Sequence, residues 1–382
     1  MAIKKKLFVF IDWYAPAYKA GGPIMATVNF VEAMKHSYRL FIFTGNRDLG
    51  ETAVLPGVES DTWINKEEDL SIFYASEAAT GFAAIKRQLQ QVAPDFIYIN
   101  SIYSVKFAFL PLLISRFYQL PAKVFVSPRG MLKDSAVNHK RTKKIIYLKL
   151  FRLLQLQRKV VFLASDTTEQ KDTALYFGKD TASVIVPDMV AYENIHHPAA
   201  GKNAGELRIV FIGRIHPIKN LLFLLQCLAA VKTGKVLLTI TGNLEDAGYW
   251  AACEQKIKIL PAHITVEMKN GLPHRQIRAL LLEHHLFMLP TKGENFGHAI
   301  FEALNLGKPV LISDQTPWRN LSAAGAGWDL PLDSQDAFVE ALQEALAWNQ
   351  ATYNMHSEQA WLLTKKFIEN NDILSNYKSI FS

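Results

Sequence analysis

The sequence predicts an α/β protein of two doubly wound, parallel-sheet domains, on three observations. The chain has 382 residues, room for two domains at about 150 residues each. It is 49% hydrophobic and 20% charged, a composition that fills large cores and excludes disorder as the main state. Short apolar runs alternate with helical stretches in two series, separated by the small polar segment His196–Gly205. Strands separated by helices assemble into parallel sheets.

In the first series Leu7–Ile11 reads as a strand, because Asp12 ends the run too early for a signal peptide. Gly21-Gly22-Pro23 turns the chain into a helix over Ile24–Met34, followed by a strand at Leu40–Thr44. A helix over 77–92 precedes the strand Phe96–Ile99, and a helix over 105–118 precedes Val124–Ser127. A basic helix over 138–158 leads to the strand Val160–Ala164, and a helix over 168–176 leads to Ser183–Val186. The second series has strands at Arg208–Ile212, Val236–Thr241, Ile264–Glu267, Leu286–Leu289 and Pro309–Ile312. Its helices fall at 220–231, 247–259, 274–283, 297–306, 335–347 and 358–368, before a last amphipathic segment. Ligands of such sheets sit beyond the carboxyl ends of the strands, so two such domains are expected to enclose a cleft.

Several classes of protein are excluded. The cysteines Cys227 and Cys253 make neither a disulfide framework nor a zinc ribbon and fit a reducing compartment. No run approaches about 20 apolar residues, so no membrane span is expected, and the expected location is cytoplasmic. The net charge of +7 is local. Between Asp134 and Asp166 no acidic residue occurs, while Lys140, Arg141, Lys143, Lys144, Lys149, Arg152, Arg158 and Lys159 supply eight cations. The remainder is close to neutral, unlike a nucleic-acid binder with charge spread over a face. No Gly-x-Gly-x-x-Gly follows the first strand, which disfavours a dinucleotide oxidoreductase.

Two segments carry chemistry. Phe211-Ile-Gly213-Arg214-Ile-His-Pro-Ile-Lys219-Asn220 joins a strand to an apolar helix. Gly213 permits a sharp turn, and Arg214 and Lys219 then suit a diphosphate, the one as a fixed fork and the other as a mobile charge. Two solvated charges on a loop would fit the same pattern. The second segment runs from Pro290 through Glu294, Asn295, Phe296, Gly297, His298 and Ala299 to Glu302. Eight residues are about 800° of helix, within about 80° of the same direction, with Glu294 preceding the helix and Glu302 inside it. Residues 295–299 would present backbone N–H groups at a helix start, an anion site. Glu302 inside an apolar helix needs a hydrogen-bond partner, which a ribose diol would provide, as would another protein group. Glu294 could equally serve the helix dipole.

These segments, in this order, resemble the donor-binding half of the GT-B glycosyltransferases, specifically the retaining GT4-type family. Its Gly-Arg with Lys five residues on, followed by E-x-F-G-x-x-x-x-E-A-x-x-x-G-x-P-V, is matched from Gly213 to Lys219 and from Glu294 to Val310. Ala20-Gly21-Gly22-Pro23 matches the family's glycine-rich loop, and Ser127-Pro128-Arg129-Gly130-Met131-Leu132 before a basic helix resembles a bacterial polysaccharide-assembly subgroup. The resemblance covers most of the chain. It departs at Pro187-Asp188-Met189, where the family often has Pro-Asn-Gly, and at the family's first-domain histidine, which the Ser-Pro-Arg-Gly stretch replaces.

The resemblance implies a GT-B fold: an acceptor domain over 1–195, a nucleotide-sugar domain over 206–365, and a helix at about 366–382 returning to the first domain. It implies transfer, with retention, of a sugar from a UDP- or GDP-linked donor to a glycan or lipid-linked acceptor. Arg214 and Lys219 would hold the diphosphate, Glu302 the ribose and Glu294 the transferred sugar. The backbone of Phe296–Ala299 would meet the distal phosphate, with His298 near donor or acceptor. Gly21 and Gly22 would let backbone approach the donor. Asn270, Gly271 and Leu272 would lie by the base, and Asn243 nearby. Arg129 would bind a phosphate, unless it pairs with a protein carboxylate, and Asn100, Ser101 and Tyr103 would line the acceptor pocket.

No cofactor is expected. There is no Asp-x-Asp signature, and His139, His196, His197, His216, His284 and His285 lack ligand spacing with an acidic partner. Two cations and a helix N-terminus would replace a metal at the leaving group. The basic helix, with Ile145, Ile146, Leu148, Leu150, Phe151, Leu153 and Leu154 among its cations, is either half-buried with a solvated face or a docking surface for an anionic bilayer. The competing functions are a sugar-nucleotide epimerase of the same fold and a catalytically inert peripheral membrane scaffold.

Overall fold

A computed structural model of the chain describes residues 4–138, 140–197 and 200–382. His139, Pro198 and Ala199, which the sequence analysis places in the basic helix and the linker, lie outside the described residues. The chain divides into two units, one of residues up to 190 together with 372–382, the other of 191–371.

The first unit is built on an eight-stranded sheet among the described residues. Its strands are β1 (Lys6–Phe10), β2 (Arg39–Gly45), β3 (Trp63–Glu67), β4 (Leu70–Ala75), β5 (Phe96–Ile99), β6 (Lys123–Val126), β7 (Val160–Ala164) and β8 (Ser183–Ile185). The order is β3-β4-β2-β1-β5-β6-β7-β8. Neighbours are parallel except β3 and β4. Its helices are α1 (Gly22–Met34), α2 (Phe82–Val92), α3 (Leu110–Phe117), α4 (Asp134–Asn138), α5 (Arg141–Leu153) and α6 (Thr167–Phe177). β1 is flanked by β2 on one side, Leu7 facing Leu40, and by β5 on the other, Leu7 facing Phe96. The winding direction reverses between β1 and β5, so the loops at 11–21 and 100–104 leave the sheet at its switch point.

Near-continuous apolar runs mark strands covered on both faces. Phe8, Phe10, Phe43 and Phe73 pack together on one face, with Phe43 and Phe73 stacked 5.1 Å apart.

The second unit holds, among the described residues, β9 (Glu206–Ile212), β10 (Lys235–Thr241), β11 (Ile264–Lys269), β12 (Leu286–Leu289), β13 (Val310–Ser313) and β14 (Gly327–Leu330). The sheet is parallel in the order β11-β10-β9-β12-β13-β14. Between the strands run α7 (Leu221–Ala230), α8 (Ala247–Lys258), α9 (His274–Glu283) and α10 (His298–Asn305), and after β14 come α11 (Gln335–Ala347) and α12 (Gln350–Asn371). The switch point lies between β9 and β12, the strands that carry the two chemical segments. The last helix, α13 (Ile373–Ile380), belongs to the first unit. Tyr377 and the following Phe381 are fully buried there, and Phe381 packs edge-on to Phe30, Phe96 and Phe125.

The structure departs from the sequence reading at several elements: the expected helix over 77–92 starts only at Phe82 after a 3-10 turn, and that over 358–368 is part of the longer α12. β3, β4 and β14 are strands where none is predicted; β3 is an edge strand whose Asn65, Lys66 and Glu67 are exposed, so it lacks an apolar signature. The expected helix over 138–158 is broken, because Lys140 takes a left-handed conformation at φ 61° between α4 and α5, and Gln155 does so after α5. The stretch 105–118 opens with a π-turn over Val105–Phe109 before α3. The segment after 190 belongs to the second unit. Glu193 accepts two hydrogen bonds from Arg278 (2.9 and 2.7 Å), and His196 contacts Ser357 at 3.2 Å. The Lys202 ammonium donates to the carbonyls of Asn203 and Trp348 at the C-terminus of α11 (2.9 and 2.8 Å).

Candidate donor site in the second unit

The loops leaving β9 and β12 are stitched together by backbone. The Lys292 N–H donates to the Ile218 carbonyl (2.7 Å), and so does the Thr291 hydroxyl (3.0 Å). This brings Lys219 to Glu294, and the two form an ion pair with side chains only 16% and 13% exposed. The Glu294 N–H is held by the Gln315 carbonyl (3.1 Å). The sequence pattern therefore places a cation and a carboxylate of the expected site in direct contact.

Arg214 lies on the other side of the β9 loop and pairs with Glu245 at 2.5 Å. The β9 and β10 loops meet because Gly242 has no side chain: a Cβ there would sit 1.8 Å from the Gly213 carbonyl oxygen. Asn243 follows in the same loop, with Gly271 against its side chain. Asn270 accepts from the Thr241 hydroxyl (3.2 Å), and Leu272 is half-buried beside it. These four residues thus gather beyond the carboxyl ends of β10 and β11.

α10 starts at Gly297, whose φ of 81° is a left-handed conformation that favours glycine. Among the described residues no side chain caps this helix and its first turn holds no acidic residue, so backbone N–H dipoles and the helix field are directed at the β12 loop. Asn295, His298 and Ala299 are half-buried there. Phe296 is different: its ring is buried in a cluster with Phe301, Trp318 and Phe367, and its carbonyl accepts from the Trp318 indole (2.7 Å). Its side chain anchors the loop in the core. Glu302 accepts from His274 at 3.1 Å, and this carboxylate raises the His274 pKa above its ordinary value.

In the first unit the acceptor candidates separate. For Arg129 the sequence leaves a ligand phosphate and a protein carboxylate open, and in the structure it meets a carboxylate. Its side chain is 4% exposed and forms an ion pair with Asp188. Its remaining donors go to the Asn100 amide oxygen (2.5 Å) and the Tyr98 hydroxyl (3.0 Å). The adjoining Gly130 N–H is held by the buried Glu169. A buried guanidinium must be paired, and Asp188 provides the charge. Asn100 is likewise spent inside, between Arg129 and Thr27. Ser101 is buried. Tyr103 is half-buried, with the Lys144 ammonium 4.8 Å above its ring. Gly21 adopts φ 67° at the start of α1, with nothing within 4 Å of where its Cβ would be, and Gly22 opens the helix.

The described histidines among those weighed as metal ligands are engaged internally. His197 bonds Glu193, His216 accepts from the Ile218 N–H, His284 contacts Thr239, and His285 accepts from the Arg208 N–H. Among the described residues no group of three or more His, Cys, Asp or Glu could hold a metal ion. Glu245 and His274, the partners of Arg214 and Glu302, carry no motif signal in the sequence; only the pairing of β9 with β10 and the path of α9 bring them in.

Residues 193–360 match the family model of glycosyl transferases group 1. No curated protein matches the chain. Over its whole length it is similar in fold to a sucrose-phosphate synthase from Thermosynechococcus elongatus, at 15% identity and a TM-score of 0.74, covering 99% of this chain and 98% of that one. Anabaena Alr3699/HepE in complex with UDP and glucose matches at 13% identity and a TM-score of 0.70, covering 99% and 98%. A trehalose-6-phosphate synthase from E. coli bound with UDP-2-fluoro glucose matches at 12% identity and a TM-score of 0.71, covering 99% of both chains. At these identities the likeness carries the fold, which is GT-B. Residues 193–360, which hold the paired Lys219 and Glu294, are the part of this chain that matches the glycosyl transferases group 1.

Proposed function

We propose that the protein transfers a hexosyl or related sugar, with retention, from a UDP- or GDP-linked donor to a glycan or lipid-linked acceptor in bacterial polysaccharide assembly. The observation that carries the reading is the Lys219–Glu294 pair at the switch point between β9 and β12. Lys219 and Arg214 hold the diphosphate, Glu294 the sugar hydroxyls, Glu302 the ribose, and the base lies by Asn243 and Asn270–Leu272. One similar fold was solved with UDP and glucose and another with UDP-2-fluoro glucose, which supports a diphosphate ligand.

In the reaction the bond from the sugar's anomeric carbon to the distal phosphate oxygen breaks. The carbon bonds to the acceptor oxygen, and the acceptor's proton leaves with the diphosphate. Charge builds on the departing oxygen, where Arg214, Lys219 and the start of α10 stabilise it. These groups do the work that a divalent ion does elsewhere, so we take the transfer to be metal-independent.

We propose further that the protein works in the cytoplasm, docked on the inner face of a membrane. Among the described residues no helix is long and apolar enough to cross one. α5 exposes Ile146, Leu150 and Leu153 (62%, 41% and 78%) in a stripe with Lys143 and Lys149. An apolar stripe flanked by cations suits an anionic bilayer.

Glu302→Ala tests the ribose role. Affinity for UDP or GDP should fall by about 1.5–3 kcal/mol, with affinity for the 2′,3′-dideoxy analogue unchanged. Equal losses on both would contradict it.

A further inference from the structure

Arg214 has a partner that no motif accounts for. Glu245 meets it at 2.5 Å, with side chains 38% and 39% exposed. The placement is fixed by backbone. Gly213 N–H donates to the Thr241 carbonyl (3.0 Å), Ile215 N–H to Asn243 (2.8 Å), and Asp246 N–H back to Ile215 (3.2 Å). Asp246 then caps α8 by accepting from the Tyr249 N–H (2.9 Å). The backbone of Glu245 is thus held opposite that of Arg214 by a zipped pair of loops, which keeps the carboxylate within reach of the guanidinium.

We propose that Glu245 is a competitor carboxylate: it occupies the Arg214 fork while the site is empty, is displaced by the diphosphate, and thereby limits how tightly the nucleoside diphosphate product is held. This rests on the reading of Arg214 as a diphosphate ligand. A carboxylate fits the same planar donor fork as a phosphate edge, so the two exclude each other there. The pair is weak enough to give way, since exposed ion pairs shift an equilibrium by at most about fivefold. Once displaced, Glu245 remains within the field of the bound phosphates and repels them. The free diphosphate carries more charge than the sugar-linked form, so the penalty falls harder on product than on donor.

The test is calorimetric titration of wild type and Glu245→Gln with UDP, GDP, uridine and guanosine, at low salt and at high salt. In the variant, the diphosphate that wild type prefers should bind about two- to fivefold more tightly. The gain should disappear at high salt, for the nucleosides, and in an Arg214→Gln background. Unchanged or weaker diphosphate binding by Glu245→Gln, where wild type binds, would overturn this inference alone. Failure of wild type to bind either diphosphate would overturn the donor-site reading and this inference with it.

Discussion

Lys219 offers the sharpest test of how the donor site works. Its ammonium is largely buried beside Glu294, where a charge-assisted contact is screened less than at the surface. Lys219→Met keeps the stem and removes the charge. Loss of such a contact costs about 1.5–3 kcal/mol, or about ten- to hundredfold in diphosphate affinity. The variant also leaves the Glu294 carboxylate facing the phosphates without Lys219, which adds repulsion. Lys219→Met/Glu294→Gln should therefore recover part of the loss, about 1 kcal/mol. Isothermal titration with the diphosphate and with the bare nucleoside separates the terms, because the nucleoside has no charge for Lys219 to meet. Unchanged diphosphate affinity, or an equal loss for the nucleoside, would refute the reasoning.

Three further outcomes are expected. Arg129→Met should destabilise the fold by about 3–5 kcal/mol in chemical denaturation, because it strips the buried Asp188 of its cation; lost activity with unchanged stability would make Arg129 a ligand instead. Lys308 is fully buried, and burial pulls its pKa from 10.5 down to about 8. The folded state then binds fewer protons than the unfolded one, so stability should rise from about pH 8 to 10.5, by up to about 3 kcal/mol. Lys308→Met should reduce that rise in urea denaturation, leaving the part due to Lys202, whose pKa burial also pulls down to about 8, and a rise of the same size in the variant would contradict the assignment. Replacing Lys143, Lys149 and Arg152 on α5 with Gln should abolish salt-sensitive binding to anionic vesicles; absence of such binding in wild type would end the membrane reading. Lys144 is not part of that test, because its ammonium donates to the Ala136 carbonyl at 2.6 Å.

The alternation of strands and helices was legible because most strands are short apolar runs covered on both faces. Phe96–Ile99, Val160–Ala164 and Leu286–Leu289 are observed with the predicted ends. β3 was not legible, since an exposed edge strand has no such run, and the break at Lys140 is a single backbone conformation that composition does not mark. The site divides in the same way. Lys219 and Glu294 could be named from the order of their motifs, because both follow strands that become neighbours. Arg129 could not be judged, because its partner Asp188 is distant in sequence and reaches it through the packing of the first unit. Glu245 and His274 were invisible for the same reason: each is an ordinary polar residue until a neighbouring strand or helix carries it to Arg214 or Glu302.

The central claim is that the second unit binds a nucleoside diphosphate through its own cations. Calorimetric titration of the purified chain with UDP, GDP, dTDP and ADP, each with and without EDTA, tests it most directly. The account predicts selective binding of UDP or GDP that survives EDTA. Binding of none of them, or binding that EDTA abolishes, would contradict it.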